Sequence, residues 1–278
     1  MDERFVNAAD GVSLFAAVYG TPTARRSLVC IPGLTRNSRD FTELATDLAV
    51  DRLVVAVDLR GRGRSGYAAT AESYRLDIYA DDVLRVIHDL GLAPVVVVGT
   101  SLGGLIAMRL AAHRPDQIAG IVLNDIGPEI IPAGLARIAS YAGKLAPVRS
   151  WDEAAAQCRM VSEAALPGLS DQDWLDQARQ RYRPEPDGTF VVDHDPRITA
   201  GPPSTDDPWA VFAALEPIPL LVVRGALSDI LAEETVETMR AILPRIDIVT
   251  LTDRGHAPTL DEPAARVAIS RYLAQIDG

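Results

Sequence analysis

Gly99-Thr100-Ser101-Leu102-Gly103-Gly104 decides how this chain is read. Before it comes Pro94-Val95-Val96-Val97-Val98, an apolar run that reads as a fully buried strand. After it, Leu105 to Ala112 reads as a helix. A small-x-Ser-x-small pattern at a strand-to-helix junction calls for a very sharp turn, with the serine in a strained backbone conformation. Glycines at 99 and 103 remove the Cβ atoms that would collide with neighbouring strand and helix. The hydroxyl is then pushed out at the carboxyl edge of a sheet, beside a helix N-terminus that favours developing negative charge. Gly-x-Ser-x-Gly also arises by chance, and it is the flanking strand and helix that give it weight.

The 278 residues have room for one large α/β domain with an inserted lid. Arg and Lys number 27 against 38 Asp and Glu, for a net charge of −11. Such a balance argues against nucleic acid, whose phosphates need a basic face, and against an anionic membrane surface. Its plain meaning is solubility. Cys30 and Cys158 are the two cysteines. Cys30 lies in an apolar strand pattern and reads as a buried free thiol, with no disulfide framework indicated. No apolar run approaches the roughly 18 residues of a membrane span. The charged start Met1-Asp2-Glu3-Arg4 leads straight into a strand pattern without the features of a signal peptide, so the expected location is cytoplasmic.

Outward from the serine turn, apolar runs ending in turn residues recur at 14–19, 27–31, 53–57, 119–123, 220–223 and 246–251. Between them lie helical patterns at 40–48, 74–90, 233–243 and 262–276. Strand alternating with helix is the signature of a doubly wound parallel sheet. The rhythm breaks from 127 to 207, which reads as helical pieces (133–144, 151–164, 171–181) with no obvious sheet strand. The expectation is a core domain of 1–126 and 208–278, with a helical cap at 127–207.

A serine hydroxyl needs a base, and the base needs an orienting acid. There are four histidines. His88 and His113 fall on helices and read as solvated or structural, and His194 falls in the cap. His256, in Thr252-Asp253-Arg254-Gly255-His256-Ala257-Pro258, follows the last strand, where loops meet ligands in an open α/β sheet. It is the expected base. Either Asp125, after strand 119–123, or Asp229, after strand 220–223, satisfies the order Ser, Asp, His. Asp229 is preferred as the acid, with Asp125 as an anchor of the cap hinge. For the oxyanion, Leu102 supplies one backbone N–H, and Leu34 in Pro32-Gly33-Leu34-Thr35-Arg36 the other.

One motif is a decoy. Gly61-Arg62-Gly63-Arg64-Ser65-Gly66 fits Gly-x-Gly-x-x-Gly, but loop-like residues follow it where a dinucleotide site needs a helix. Its arginines are expected to fix the loop through carboxylate pairs. No metal-ligand spacing occurs. Neither a cofactor nor a metal is therefore expected.

The chain resembles the α/β-hydrolase family. The resemblance rests on Pro32-Gly33-Leu34, Asp58-Leu59-Arg60-Gly61-Arg62-Gly63-Arg64-Ser65, the serine hexapeptide, Gly225-x-x-Ser228-Asp229 and Gly255-His256, in order along nearly the whole chain. It implies an eight-stranded, mostly parallel sheet flanked by helices, with a helical cap after the sixth strand. It further implies Ser101 as nucleophile, Asp229 as acid, His256 as base, and Leu34 and Leu102 as the oxyanion hole. Pro32-Gly33 stands where His-Gly is common. Serine, rather than aspartate, at the turn implies ester, lactone, thioester or carbon–carbon bond hydrolysis.

The leading expectation is a serine hydrolase of small to medium, mostly apolar carboxylic esters, with Phe41, Tyr141 and Trp174 lining the pocket. A second is an enol-lactone or carbon–carbon bond hydrolase of carboxylated substrates, with Arg36 or Arg137 binding the carboxylate. A third is a noncatalytic ligand receptor. The expected partner is a small-molecule substrate, without nucleic acid or membrane, in a monomer or homodimer.

Overall fold

A computed structural model describes residues 1–278. Eight strands form the main sheet: β1 (Asp2–Asn7), β2 (Ser13–Tyr19), β3 (Leu28–Ile31), β4 (Val54–Val57), β5 (Val95–Thr100), β6 (Ile118–Asn124), β9 (Leu220–Gly225) and β10 (Asp247–Leu251). Their spatial order is β1-β2-β4-β3-β5-β6-β9-β10. The β1–β2 and β2–β4 pairs are antiparallel and all the others parallel. This is the α/β-hydrolase sheet that the sequence leads one to expect.

Uniformly apolar strands are what a sheet covered on both faces requires. β5 illustrates it: Val95 and Val97 enter one hydrophobic layer, Val96 and Val98 the other, and all four are fully buried. The first layer is closed by α2 (Leu76–Asp89), α3 (Leu102–His113), α7 (Pro208–Ala213) and α8 (Glu233–Ile242), through residues such as Val83, Ile106, Phe212 and Met239. The second is closed by α1 (Thr42–Leu48) and α9 (Pro263–Asp277), through Leu44, Ile269 and Leu273.

Strand order creates the site. From β3 the chain passes to β4 on one side, then to β5 on the other. The loops leaving β3 and β5 therefore run in opposite directions around the sheet and open a crevice between them, the usual ligand position in a doubly wound sheet.

Between β6 and β9 lie α4 (Pro132–Tyr141), α5 (Trp151–Ser162), α6 (Asp171–Arg181) and a short antiparallel hairpin, β7 (Tyr182–Pro184) with β8 (Phe190–Val192). The hairpin is absent from the sequence reading: three-residue strands are too short to show an alternation. α5 is started by Ser150, whose Oγ accepts from Glu153 N, and α6 by a capping box of Ser170 and Asp173. The segment has its own small core, in which Cys158 and Trp174 are buried. It is tied to the β3 loop, because the Gln180 carbonyl accepts from Asn37 Nδ2 (2.8 Å) and Arg39 Nη2 (2.7 Å). No helix is long and apolar enough to cross a membrane.

Candidate active site

Ser101 stands between β5 and α3 with φ 52° and ψ −116°, a strained conformation for a residue with a side chain. The two glycines of the turn are there because of close approach. A Cβ on Gly99 would collide with the Gly103 carbonyl, and one on Gly103 with the Ile31 carbonyl at the end of β3. Being first in α3, Leu102 has an N–H without an intrahelical acceptor.

His256 reaches this serine from the loop after β10, with Nε2 2.9 Å from Ser101 Oγ. Its other nitrogen, Nδ1, lies 2.8 Å from Asp125 Oδ2. A carboxylate only accepts, so Nδ1 carries the proton and Nε2 is free to accept from the serine. The Asp125 side chain is entirely buried and that of His256 is 7% exposed. Asp125 also accepts from Gly225 N (2.8 Å) and Ser228 Oγ (2.6 Å). It too adopts a left-handed backbone, φ 54°, at the end of β6.

Asp229 is not at the histidine. Its carboxylate is held by Arg137 of α4, through Nε (2.5 Å) and Nη2 (2.8 Å), and this guanidinium keeps it below the usual carboxylate range. The expected acid is thus engaged with the inserted segment, and the residue expected to anchor the hinge occupies the histidine's orienting position. β6 and β9 are neighbours, so both aspartates leave the same stretch of sheet edge, and chain order alone does not separate them.

Gly33 passes directly over the serine: a Cβ there would lie 3.6 Å from Ser101 Cβ. Next to it, Leu34 N donates to no group of the chain. The loop is held by Arg62, fully buried, whose Nε donates to the Leu34 carbonyl at 2.9 Å. Nη1 of Arg62 bonds the Arg60 carbonyl and Tyr79 Oη. So the expected carboxylate pairs hold for Arg60, with Asp82 and Asp10, and for Arg64, with Glu3. They do not hold for Arg62. Neither Arg62 nor Ser228 is singled out by sequence as a support of the site.

A cavity of about 150 Å³ opens on Ser101 and His256, and Leu34, Phe41 and Tyr141 line it. Trp174 does not. It is 2% exposed inside the core of the inserted segment, because its face of α6 packs on α5. Arg36 does line the cavity, but both its Nε and Nη2 are taken by Asp40 (2.6 and 2.5 Å). His194 is also on the wall, and burial holds it below its ordinary value. His88 and His113 are exposed, bonded to Gln117 and the Arg109 carbonyl respectively. The Cys30 thiol is buried in the sheet and raised to about 12 by that burial.

This geometry has counterparts in known proteins. Residues 28–269 match the model of a family described as the alpha/beta hydrolase family. A 3-hydroxybutyrate-oligomer hydrolase of Cupriavidus necator is 36% identical over 267 residues, which cover 91% of this chain and 89% of that one. An sn-1-specific diacylglycerol lipase of Mus musculus is 26% identical, covering 89% of this chain and 81% of the lipase. Among solved structures, an alpha/beta hydrolase from Novosphingobium aromaticivorans superposes with a TM-score of 0.93 at 40% identity, covering 99% of this chain and 98% of that one. With the sheet, the match over most of its length and these relatives in agreement, the chain belongs to the alpha/beta hydrolase family.

Proposed function

We propose that the protein is a serine hydrolase that cleaves carboxylic esters of small to medium substrates through an acyl-enzyme. One observation carries the reading: the hydrogen-bond chain from Ser101 Oγ through His256 to Asp125, at 2.9 and 2.8 Å. On this reading Ser101 Oγ attacks the ester carbonyl as His256 Nε2 takes its proton. Asp125 holds the ring in the accepting tautomer and stabilises the imidazolium. Negative charge on the carbonyl oxygen is met by the N–H groups of Leu34 and Leu102, at the N-terminus of α3. His256 then gives its proton to the departing alkoxide, and the alcohol leaves. In the second half, His256 removes a proton from water, the water oxygen attacks the acyl carbon, and Ser101 is released with its proton restored. The Cupriavidus necator relative, named for hydrolysis of hydroxyacid oligomers, supports an ester as the scissile bond.

Ser101→Ala provides the test. Turnover of 4-nitrophenyl butyrate and labelling by a fluorophosphonate are expected in the native protein and absent from the folded variant. Ester turnover that survives in Ser101→Ala would refute the assignment.

A further inference from the structure

We propose that Arg181 is an anchor for a free carboxylate, so that the cavity takes esters that carry a carboxylate away from the scissile bond. The inference rests on the hydrolase reading above and specifies its substrate class.

Arg181 is the last residue of α6 and lines the same cavity as Ser101 and His256. Its guanidinium donates to two neutral oxygens: Nη1 to Ser162 Oγ (2.9 Å) and Nη2 to Gln177 Oε1 (2.6 Å). Nε is buried without a partner. No carboxylate lies within ion-pair distance of it, whereas its neighbours Arg36 and Arg39 each have one, Asp40 and Asp193. A guanidinium offers five N–H donors in a planar fork, so Arg181 retains unused donor capacity.

The surroundings do not neutralise it. The Gln177 amide oxygen is shared by both guanidinium groups, with Arg36 at 3.4 Å. Asp40 has both oxygens on Arg36. This end of the cavity therefore holds two cations and one anion. Glu43 and Asp261 also border the cavity, but both are solvent-exposed and Asp261 is paired with Arg266. Burial and the nearby Arg36 charge bring Arg181 down to about 10, which leaves it cationic at neutral pH. A half-buried charge with a buried, unpartnered Nε and no counter-charge is costly, and it is tolerated where a ligand completes the pair. One missing negative charge and a free planar fork match a single carboxylate. Linear hydroxyacid oligomers carry one at the chain end, and cleavage creates another.

The test compares the linear dimer of 3-hydroxybutyrate with its terminal carboxamide, of nearly equal shape and no charge. In the native protein, kcat/KM for the acid should exceed that for the amide by on the order of 30-fold, chiefly through KM. In Arg181→Met the ratio should approach one, and Arg181→Lys should recover part of it. A native ratio near one, or equal losses on both substrates in Arg181→Met, overturns the proposal. If neither dimer is turned over, monomethyl glutarate should slow fluorophosphonate labelling of the native protein more than that of Arg181→Met; equal slowing overturns it as well. Failure of the hydrolase reading looks different, since Ser101 then takes no label in any variant.

Discussion

Asp125→Asn isolates the charge of the orienting acid while keeping its shape. Asn can still accept from Gly225 N at the Oδ1 position, now at 2.8 Å. At the Oδ2 position, where Asp125 accepts from both Ser228 Oγ and His256 Nδ1, an amide NH₂ takes the oxygen's place. The decisive change is in the bond to His256. An amide NH₂ facing Nδ1 forces that nitrogen to accept, so the proton moves to Nε2, which then cannot take one from Ser101. The imidazolium also loses its counter-charge. At 2.8 Å, with an effective dielectric of about 20, Coulomb's law puts that attraction near 6 kcal/mol. The loss of the buried aspartate charge in serine triads, about 10⁴ in kcat, corresponds to a similar figure. The expected result is therefore a fall of about 10⁴ in kcat on 4-nitrophenyl butyrate, with circular dichroism and melting confirming a folded protein. Asp229→Asn is the control. It removes an Arg137 pair whose side chains are 33% and 39% exposed, so about 0–1 kcal/mol of stability and less than about threefold in kcat are at stake. The opposite ranking, with Asp229→Asn the more damaged enzyme, would refute the reasoning.

Other perturbations have separate outcomes. Arg62→Met removes the donor to the Leu34 carbonyl and should lower kcat by roughly 10²-fold, with KM changing less in steady-state assays. Trp174→Ala should destabilise the inserted segment by about 3–5 kcal/mol in denaturant titration; a loss below about 1 kcal/mol would place the ring outside a packed core. Asp195 responds to pH. Burial opposes its charge, but bonds from Arg197 and Tyr74 prevail and hold the carboxyl at about 2, below its unfolded value. Its contribution is therefore full above the unfolded value of about 4 and is lost as pH falls through 2. The difference in melting temperature between native protein and Asp195→Asn should shrink across that window.

The sheet was legible because its signals are local and repeated. The interior parallel strands β3, β4, β5, β6 and β9 carry short apolar runs, and α2, α8 and α9 begin within two residues of their sequence patterns. The serine turn was legible because its steric needs, small residues at 99 and 103, are written in the sequence itself. What was not legible depends on contacts between distant segments. Trp174 has the composition of a pocket residue, but which face of α6 meets α5 is decided by tertiary packing. Arg62 sits in a glycine-rich loop whose pattern says nothing of the carbonyl it holds 28 residues away. Arg181 differs from its cavity neighbours Arg36 and Arg39 in lacking a carboxylate, and a missing partner is not a sequence feature.

The two aspartates show how such a choice is made physically. Both leave adjacent strands, and both are close enough to His256 for charge to be felt. Asp229 carries a bidentate guanidinium, which cancels most of its field at the imidazole. Asp125 has no cation of its own: Gly225 N and Ser228 Oγ are neutral donors, so its charge remains available to the histidine. Ser228 links the two outcomes. Its hydroxyl donates to Asp125 and accepts from the N–H groups of Ile230 and Leu231, which closes the turn around residue 229. The same turn supports one carboxylate beneath His256 and delivers the next to Arg137 on α4. The motif Gly225-x-x-Ser228-Asp229 thus serves the site through its serine, and its aspartate ties the inserted helices to the carboxyl edge of the sheet.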